Sequence, residues 1–134
     1  EYINLYPEID TWIVGGHSLG GVAAAMFAHD YDDVDGLILL GSFPSESSDL
    51  REQSIDVLSL YAQFDGLTSL EDIETSKALL PPDTTFVEIQ GGNHAQFGMY
   101  GDQKGDQKAT ISTKQQQDIM VEDTIKWLEA MHKK

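Results

Sequence analysis

Residues 16–20 read Gly16-His17-Ser18-Leu19-Gly20, a G-x-S-x-G pentapeptide flanked by Gly15 and Gly21. A serine hydroxyl attacks an acyl carbon only when it is lifted clear of its surroundings and given a base. A sharp turn from a strand into a helix does the lifting, and glycines two residues either side of the serine let the chain turn without a clash. The helix that follows points its N-terminus at the site, so the Leu19 backbone N–H is placed to meet a developing oxyanion. His17, inside the turn, is a second candidate for oxyanion or substrate contact.

Four histidines could supply the base: His17, His29, His94 and His132. His94 lies in Gly91-Gly92-Asn93-His94-Ala95, a glycine-rich loop after an apolar run, and such loops at the carboxyl ends of parallel strands collect active-site residues. A histidine base needs a carboxylate to hold its tautomer. Asp65 ends Tyr61-Ala62-Gln63-Phe64-Asp65, past one strand and before a helix. Asp56 opens its strand at the opposite edge, Asp72 serves as a helix cap, and Asp83 precedes the next strand. The order is Ser18, Asp65, His94 with gaps of 47 and 29 residues. Serine, then acid, then histidine excludes the chymotrypsin and subtilisin orders. Ser42 and Ser45 are candidates to line the pocket, and Gln96, Phe97 and Tyr100 to touch substrate or pack the histidine loop.

These residues require elements to carry them. Short apolar runs alternate with helical periods, the pattern of βαβ units and a parallel sheet. Thr11-Trp12-Ile13-Val14 reads as a buried strand with Trp12 in the core. Leu19, Val22, Ala23, Met26 and Phe27 share one helix face. Strands are expected at Val34 to Leu40, Val57 to Tyr61 and Phe86 to Ile89. Ser69-Leu70-Glu71-Asp72 resembles a capping box whose helix stops before Pro81-Pro82. Thr113-Lys114-Gln115-Gln116 reads as another, opening a helix with Val121, Thr124, Ile125, Leu128 and Met131 on its apolar face. Gly101-Asp102-Gln103-Lys104 is repeated as Gly105-Asp106-Gln107-Lys108 and fits no EF-hand loop, so it reads as a solvated turn.

With the elbow, the acid and the histidine in this order, the chain resembles the C-terminal half of an α/β-hydrolase over essentially its whole length. The run Gly91-Gly92-Asn93-His94-Ala95-Gln96-Phe97-Gly98, with Tyr100-Gly101, Gln103 and Gly105-Asp106, resembles a narrower branch of small, mostly bacterial hydrolases. The resemblance implies an α/β fold with a mostly parallel sheet and flanking helices. The nucleophile ends one strand, and three parallel strands follow, with the acid after the second of them and the histidine after the last. The superfamily fold has about eight strands. Residues 1–134, read as a single domain, supply about four and lack the loop that donates the second oxyanion N–H. Only Gly41 to Ser54, about 14 residues, separates the second and third strands, so no large lid is expected there.

Composition narrows the chemistry. The 134 residues carry 8 basic and 23 acidic side chains and a net charge of −15, which disfavours nucleic acid and anionic membranes as partners. Residues 1–103 hold only Arg51 and Lys77 against 18 acids, so a cleft built there repels anions and a neutral or cationic substrate is expected. The longest run of apolar residues and glycines, Leu19 to Ala28, is too short to span a bilayer. Without cysteine there are no disulfides and no thiolate metal site; neither metal nor organic cofactor is expected. No signal-peptide pattern or N-x-S/T sequon is present, which leaves the compartment open. A start at Glu1 is expected to mark a processed form or a fragment.

The expected activity is serine-nucleophile hydrolysis of a carboxylic ester or related small neutral acyl compound. Acyl transfer to another acceptor and a non-catalytic hydrolase-fold scaffold are the alternatives. The strands are expected in sequence order with right-handed crossovers. That leaves the 11–14 strand as a bare edge, to be paired with a complementary N-terminal half or a second copy.

Overall fold

A computed structural model describes residues 2–132; Glu1, on which the fragment expectation rests, and Lys133 and Lys134 lie outside the described residues. The elements run α1 (Tyr2–Leu5), β1 (Ile13–His17), α2 (Leu19–Asp30), β2 (Gly36–Leu40), β3 (Asp56–Ala62), α3 (Leu70–Ser76), β4 (Thr85–Ile89) and α4 (Thr113–His132). The four strands lie in sequence order, β1-β2-β3-β4, and every neighbouring pair is parallel. All four carboxyl ends therefore open on one edge of the sheet, where the segments after β1, β2, β3 and β4 meet.

Period-two alternation sorts the strand side chains onto two faces. Val14, Leu37, Leu39, Val57 and Phe86 pack with Ala24, Ala25 and Ala28 of α2 and with Leu50 of the β2–β3 connection. Ile13, Ile38, Leu40, Leu58, Leu60, Val87 and Ile89 pack with Met120, Trp127 and Met131 of α4. Both faces are covered, and β2 and β3 accordingly read as near-continuous apolar runs.

Several boundaries and faces differ from expectation. The first strand is Ile13–His17, not 11–14, and Trp12, just before it, is only half-buried, with its carbonyl accepting the N–H groups of Asp35 and Gly36. α2 does not bury its large apolar face. Gly21, Ala24, Ala25 and Ala28 lie on the sheet, while Leu19 is 83% and Met26 49% exposed. A helix clamped to the Ser18 turn must sit close to β1, and only the small-residue face allows that approach. α4 is turned likewise: Gln116 and Trp127 are buried, whereas Val121, Ile125 and Leu128 are exposed. Its cap is one residue earlier than expected. The Gln115 side chain accepts the Ser112 N–H at 2.8 Å, and Ser112 Oγ accepts the Gln115 N–H at 3.1 Å. The Ser69–Asp72 capping box is present as expected, with its reciprocal bonds at 3.0 and 3.1 Å.

The outer edge of β1 carries no strand among the described residues. Beside it, a groove of about 420 Å³ between the sheet and α4 is lined by Gly15, Gly16, Ile38, Leu40, Met120 and Val121, among others. Among the described residues no helix is long and apolar enough to cross a membrane.

Trp127 is the side chain on which α4 rests. A methyl group on Gly36 would lie 2.9 Å from its ring, so the two fit without a gap. Trp127→Ala should cost about 3–5 kcal/mol. Urea unfolding followed by circular dichroism measures it, and a loss under about 1 kcal/mol would mean that α4 is held elsewhere.

Candidate active site

The turn between β1 and α2 is strained. Ser18 has φ 57° and ψ −121° and is the one non-glycine residue with positive φ among the described residues. Such a conformation costs about 1–3 kcal/mol and persists only when its surroundings hold it. Here the Ser18 N–H donates to the Leu40 carbonyl at 3.2 Å, and the Ser18 carbonyl accepts the Ser42 hydroxyl at 2.7 Å. Ser42 is buried, and this bond braces the turn. Ser45 bonds to Ser47 at 3.0 Å in the loop that follows.

The glycine requirement is not symmetric about the serine. A Cβ on Gly16 would sit 2.2 Å from the Gly20 carbonyl carbon, and one on Gly21 2.4 Å from Ser42 Oγ, whereas one on Gly20 would meet nothing within 4 Å. The crowding falls on Gly16 and Gly21. Leu19 opens α2 with its N–H among the donors that have no acceptor within a helix; its side chain points into solvent.

At the carboxyl end of β3, Asp65 is buried with its carboxylate satisfied on both oxygens. Oδ1 accepts the N–H groups of Leu67 at 2.8 Å and Thr68 at 2.6 Å, and Oδ2 meets His94 Nδ1 at 2.7 Å. An ionised carboxylate only accepts, so Nδ1 carries the proton and Nε2 is left as the basic nitrogen. Asp65 and His94 are 3% and 2% exposed. The site has no space for a larger residue at Gly41: φ is +54°, and a Cβ would lie 3.1 Å from Asp65 Oδ2 and 3.0 Å from the Phe97 ring.

His17 joins the Ser18 turn to the histidine loop. Its ring lies 4.4 Å from that of His94 and 5.5 Å from that of Phe97, and its Nδ1 is hydrogen-bonded to the Tyr100 hydroxyl. Burial pushes the His17 pKa below its ordinary value. Repulsion from a protonated His94 acts the same way, and Asp65, the His94 backbone and Asp106 pull against it. His17 Nε2 is buried with no hydrogen-bond partner among the described residues. Neutral His17 therefore stabilises the fold above its unfolded pKa of about 6.5, and that contribution fades as pH falls below it. Ser18 is thus carried on a turn whose preceding side chain packs on His94, and among the described residues no hydrogen bond joins the Ser18 hydroxyl to the His94 ring.

Sequence reasoning missed the polar frame around this pair. Gln116, fully buried on α4, accepts the Asn93 N–H at 3.1 Å and donates to the Asn93 carbonyl at 2.9 Å. Gln96 donates to Gln116 Oε1 at 3.0 Å, and the Asn93 side chain donates to the Gln107 carbonyl at 2.8 Å. Gln96 and Phe97 thus pack the histidine loop. Asp106 is half-buried and accepts four backbone N–H groups, which corrects its reading as part of a solvated turn. Gly105 before it, with φ +89°, and Gly91 at the end of β4, with φ +78°, are the backbone signals that such loops are closely fitted.

The crowding gives a paired test. Gly16→Ala should lower the melting temperature sharply, while Gly20→Ala should be neutral or gain up to about 1 kcal/mol from helix propensity. Equal losses by differential scanning calorimetry would mean the strain is shared across the turn.

The sequence matches the family described as "Alpha/beta hydrolase family" over residues 1–118. No curated protein sequence matches it. Among solved structures, it is similar to a thermophilic esterase from Thermogutta terrifontis, with a TM-score of 0.70 and 16% identity over 98% of this chain and 69% of that one. It is similar to acyl-protein thioesterase 2 of Zea mays, with a TM-score of 0.61 and 16% identity over 96% of this chain and 60% of that one. The esterase domain of a Rhodothermus marinus protein gives a TM-score of 0.58 and 14% identity over 69% of this chain, which spans about half (54%) of that domain. At such identities the structures speak for the fold, and it is the sequence match across most of the chain that assigns it: the protein belongs to the alpha/beta hydrolase family.

Proposed function

We propose that the protein is a serine hydrolase acting on a carboxylic ester or related acyl compound through Ser18, His94 and Asp65. The observation that carries this reading is the buried Asp65–His94 hydrogen bond of 2.7 Å beside a strained serine turn. Asp65 and the protonated Nδ1 fix the imidazole with Nε2 as base. Nε2 takes the Ser18 proton as Oγ bonds to the acyl carbon, and the carbonyl electrons move to oxygen. The Leu19 N–H stabilises that oxyanion. When the tetrahedral intermediate collapses, His94 returns the proton to the departing alcohol, leaving an acyl-serine. Water, deprotonated by the same nitrogen, releases the acid. Hydrogen bonds of this kind are often loose without substrate and tighten in the complex, which suits a serine not yet bonded to its histidine. The His94 loop motif supports placement in a narrower branch of small bacterial hydrolases. The acidity of residues 1–103 favours neutral or cationic substrates.

The outer edge of β1 is proposed to pair with a complementary N-terminal segment. Val121 and Ile125 of α4 line the groove beside β1 with Gly15 and Gly16, and they, Leu128 of α4, and Leu19 and Met26 of α2, which packs on β1, are exposed. Burying one such side chain contributes about 1.5–3 kcal/mol, and the relatives compared are longer than this chain. That segment is also the expected source of the second oxyanion donor.

Ser18→Ala should leave the fold intact and abolish both fluorophosphonate labelling and ester turnover, and an adduct on Ser42 would refute the assignment. Asp65→Asn should fold and lose about 10⁴-fold in kcat, because the wrong tautomer is favoured; an unaffected rate would remove Asp65 from the reaction. Adding the complementary segment should protect the Ile13–His17 amides from hydrogen exchange and raise turnover. Self-association of the 134-residue chain on sedimentation would assign the edge to a second copy instead, and a fully active monomer with that edge exchanging freely would disprove the pairing.

A further inference from the structure

We propose that Asp106 is a positioning residue that holds the Asp65 loop and the His94 loop in catalytic register. The inference rests on the reading of His94 as the base, and it concerns a carboxylate that takes no part in the proton transfers. Asp106 Oδ1 accepts the N–H groups of Gly66 at 2.9 Å, His94 at 3.2 Å and Gln107 at 2.9 Å, and Oδ2 accepts that of Ala95 at 2.8 Å. Gly66 directly follows the acid, and Ala95 directly follows the base. One carboxylate therefore clamps the main chain beside both members of the pair, at Gly66, 40 residues away, and at His94, 12 residues away along the sequence.

The fit is close. A Cβ on Gly66 would lie 2.4 Å from the Gly105 carbonyl oxygen and 2.8 Å from the Asp106 Cα, so the loop bearing Asp106 lies directly on the acid loop. The Asn93 side chain holds the same loop from the histidine side, through the Gln107 carbonyl at 2.8 Å. Charge-assisted bonds from backbone N–H groups to a carboxylate are about twice as strong as neutral ones. A 1 Å shift in a reacting group can cost about 100-fold in rate. The repeated Gly-Asp-Gln-Lys supplies an internal control: Asp102, the equivalent aspartate of the first copy, is exposed.

Asp106→Ala should lower kcat about 10- to 100-fold with KM within about twofold. The downfield proton resonance of the His94 Nδ1–H should broaden or move upfield. Asp106→Asn keeps acceptors on one side only and should fall between wild type and Asp106→Ala. Asp102→Ala, which removes the same charge, and Ile55→Val, which weakens the core away from the site, should leave both the resonance and kcat unchanged. A rise in KM alone would make Asp106 a substrate contact and overturn the proposal. A lower melting temperature with resonance and kcat unchanged would make it a purely structural tie and overturn it equally. Asp106→Asn, read in the same way, decides the matter if the alanine variant does not fold. The resonance requires no turnover, so a failure of the serine-hydrolase reading would show as absent wild-type activity with the resonance still answering to Asp106.

Discussion

The buried bond between Asp65 and His94 sets terms that much of the chain has to meet. A carboxylate taken out of water costs several kcal/mol unless every lone pair facing the protein is used. Asp65 meets that cost with three donors: the imidazole and the two N–H groups of the turn it begins. The turn is in turn pinned, since the Thr68 hydroxyl donates to the Gly41 carbonyl at 3.0 Å and so ties the end of β3 to the end of β2. Gly41 has no side chain because Asp65 and Phe97 occupy the space. The histidine loop comes to the acid through the Phe64 N–H, which donates to the Gly92 carbonyl at 2.8 Å. Satisfying one buried charge thereby fixes the relation of three of the four strand ends.

The fourth strand end, carrying Ser18, obeys a steric rule instead. α2 must start within contact of β1, because even a single Cβ on Gly16 would collide with the Gly20 carbonyl. That closeness decides which side of α2 meets the sheet. A helix whose alanines and glycine face inward buries less apolar area than one presenting Leu19 and Met26, and the loss of about 1.5–3 kcal/mol per large side chain is accepted because the elbow leaves no room for them. The large residues are turned outward into solvent. Strain, close packing and an apolar exposed flank thus follow from a single turn.

α4 joins the two systems. Its Trp127 fills the sheet's second face, while Gln116, one turn into the helix, presents a fully buried amide to the histidine loop. A buried amide is costly unless bonded, and Gln116 makes three bonds, to the Asn93 N–H, the Asn93 carbonyl and the Gln96 side chain. The helix therefore both packs the core and sets the height of the loop that carries His94.

The sequence by itself marked the glycine-rich turn at Ser18, the loops that carry Asp65 and His94, and the parallel order of the strands. Each is written in adjacent residues: glycines around Ser18, β-branched and leucine runs, a capping box at Ser69, and loops placed just after strands. It also marked β1 as an edge, because a strand order that follows the sequence has to leave the first strand outside. Only the tertiary structure decided which faces of α2 and α4 are buried. Apolar periodicity locates a stripe, but a helix start held against β1 favours the small residues over the large ones. The cap of α4 moved to Ser112 because Gln116 was required elsewhere. Asp106 was illegible for the same reason: its partners are backbone N–H groups far away in sequence, which carry no side-chain signature, and its twin Asp102 has the same neighbours in sequence and none of those contacts. Local pattern names the candidate groups; long-range satisfaction of buried polar atoms decides what holds them.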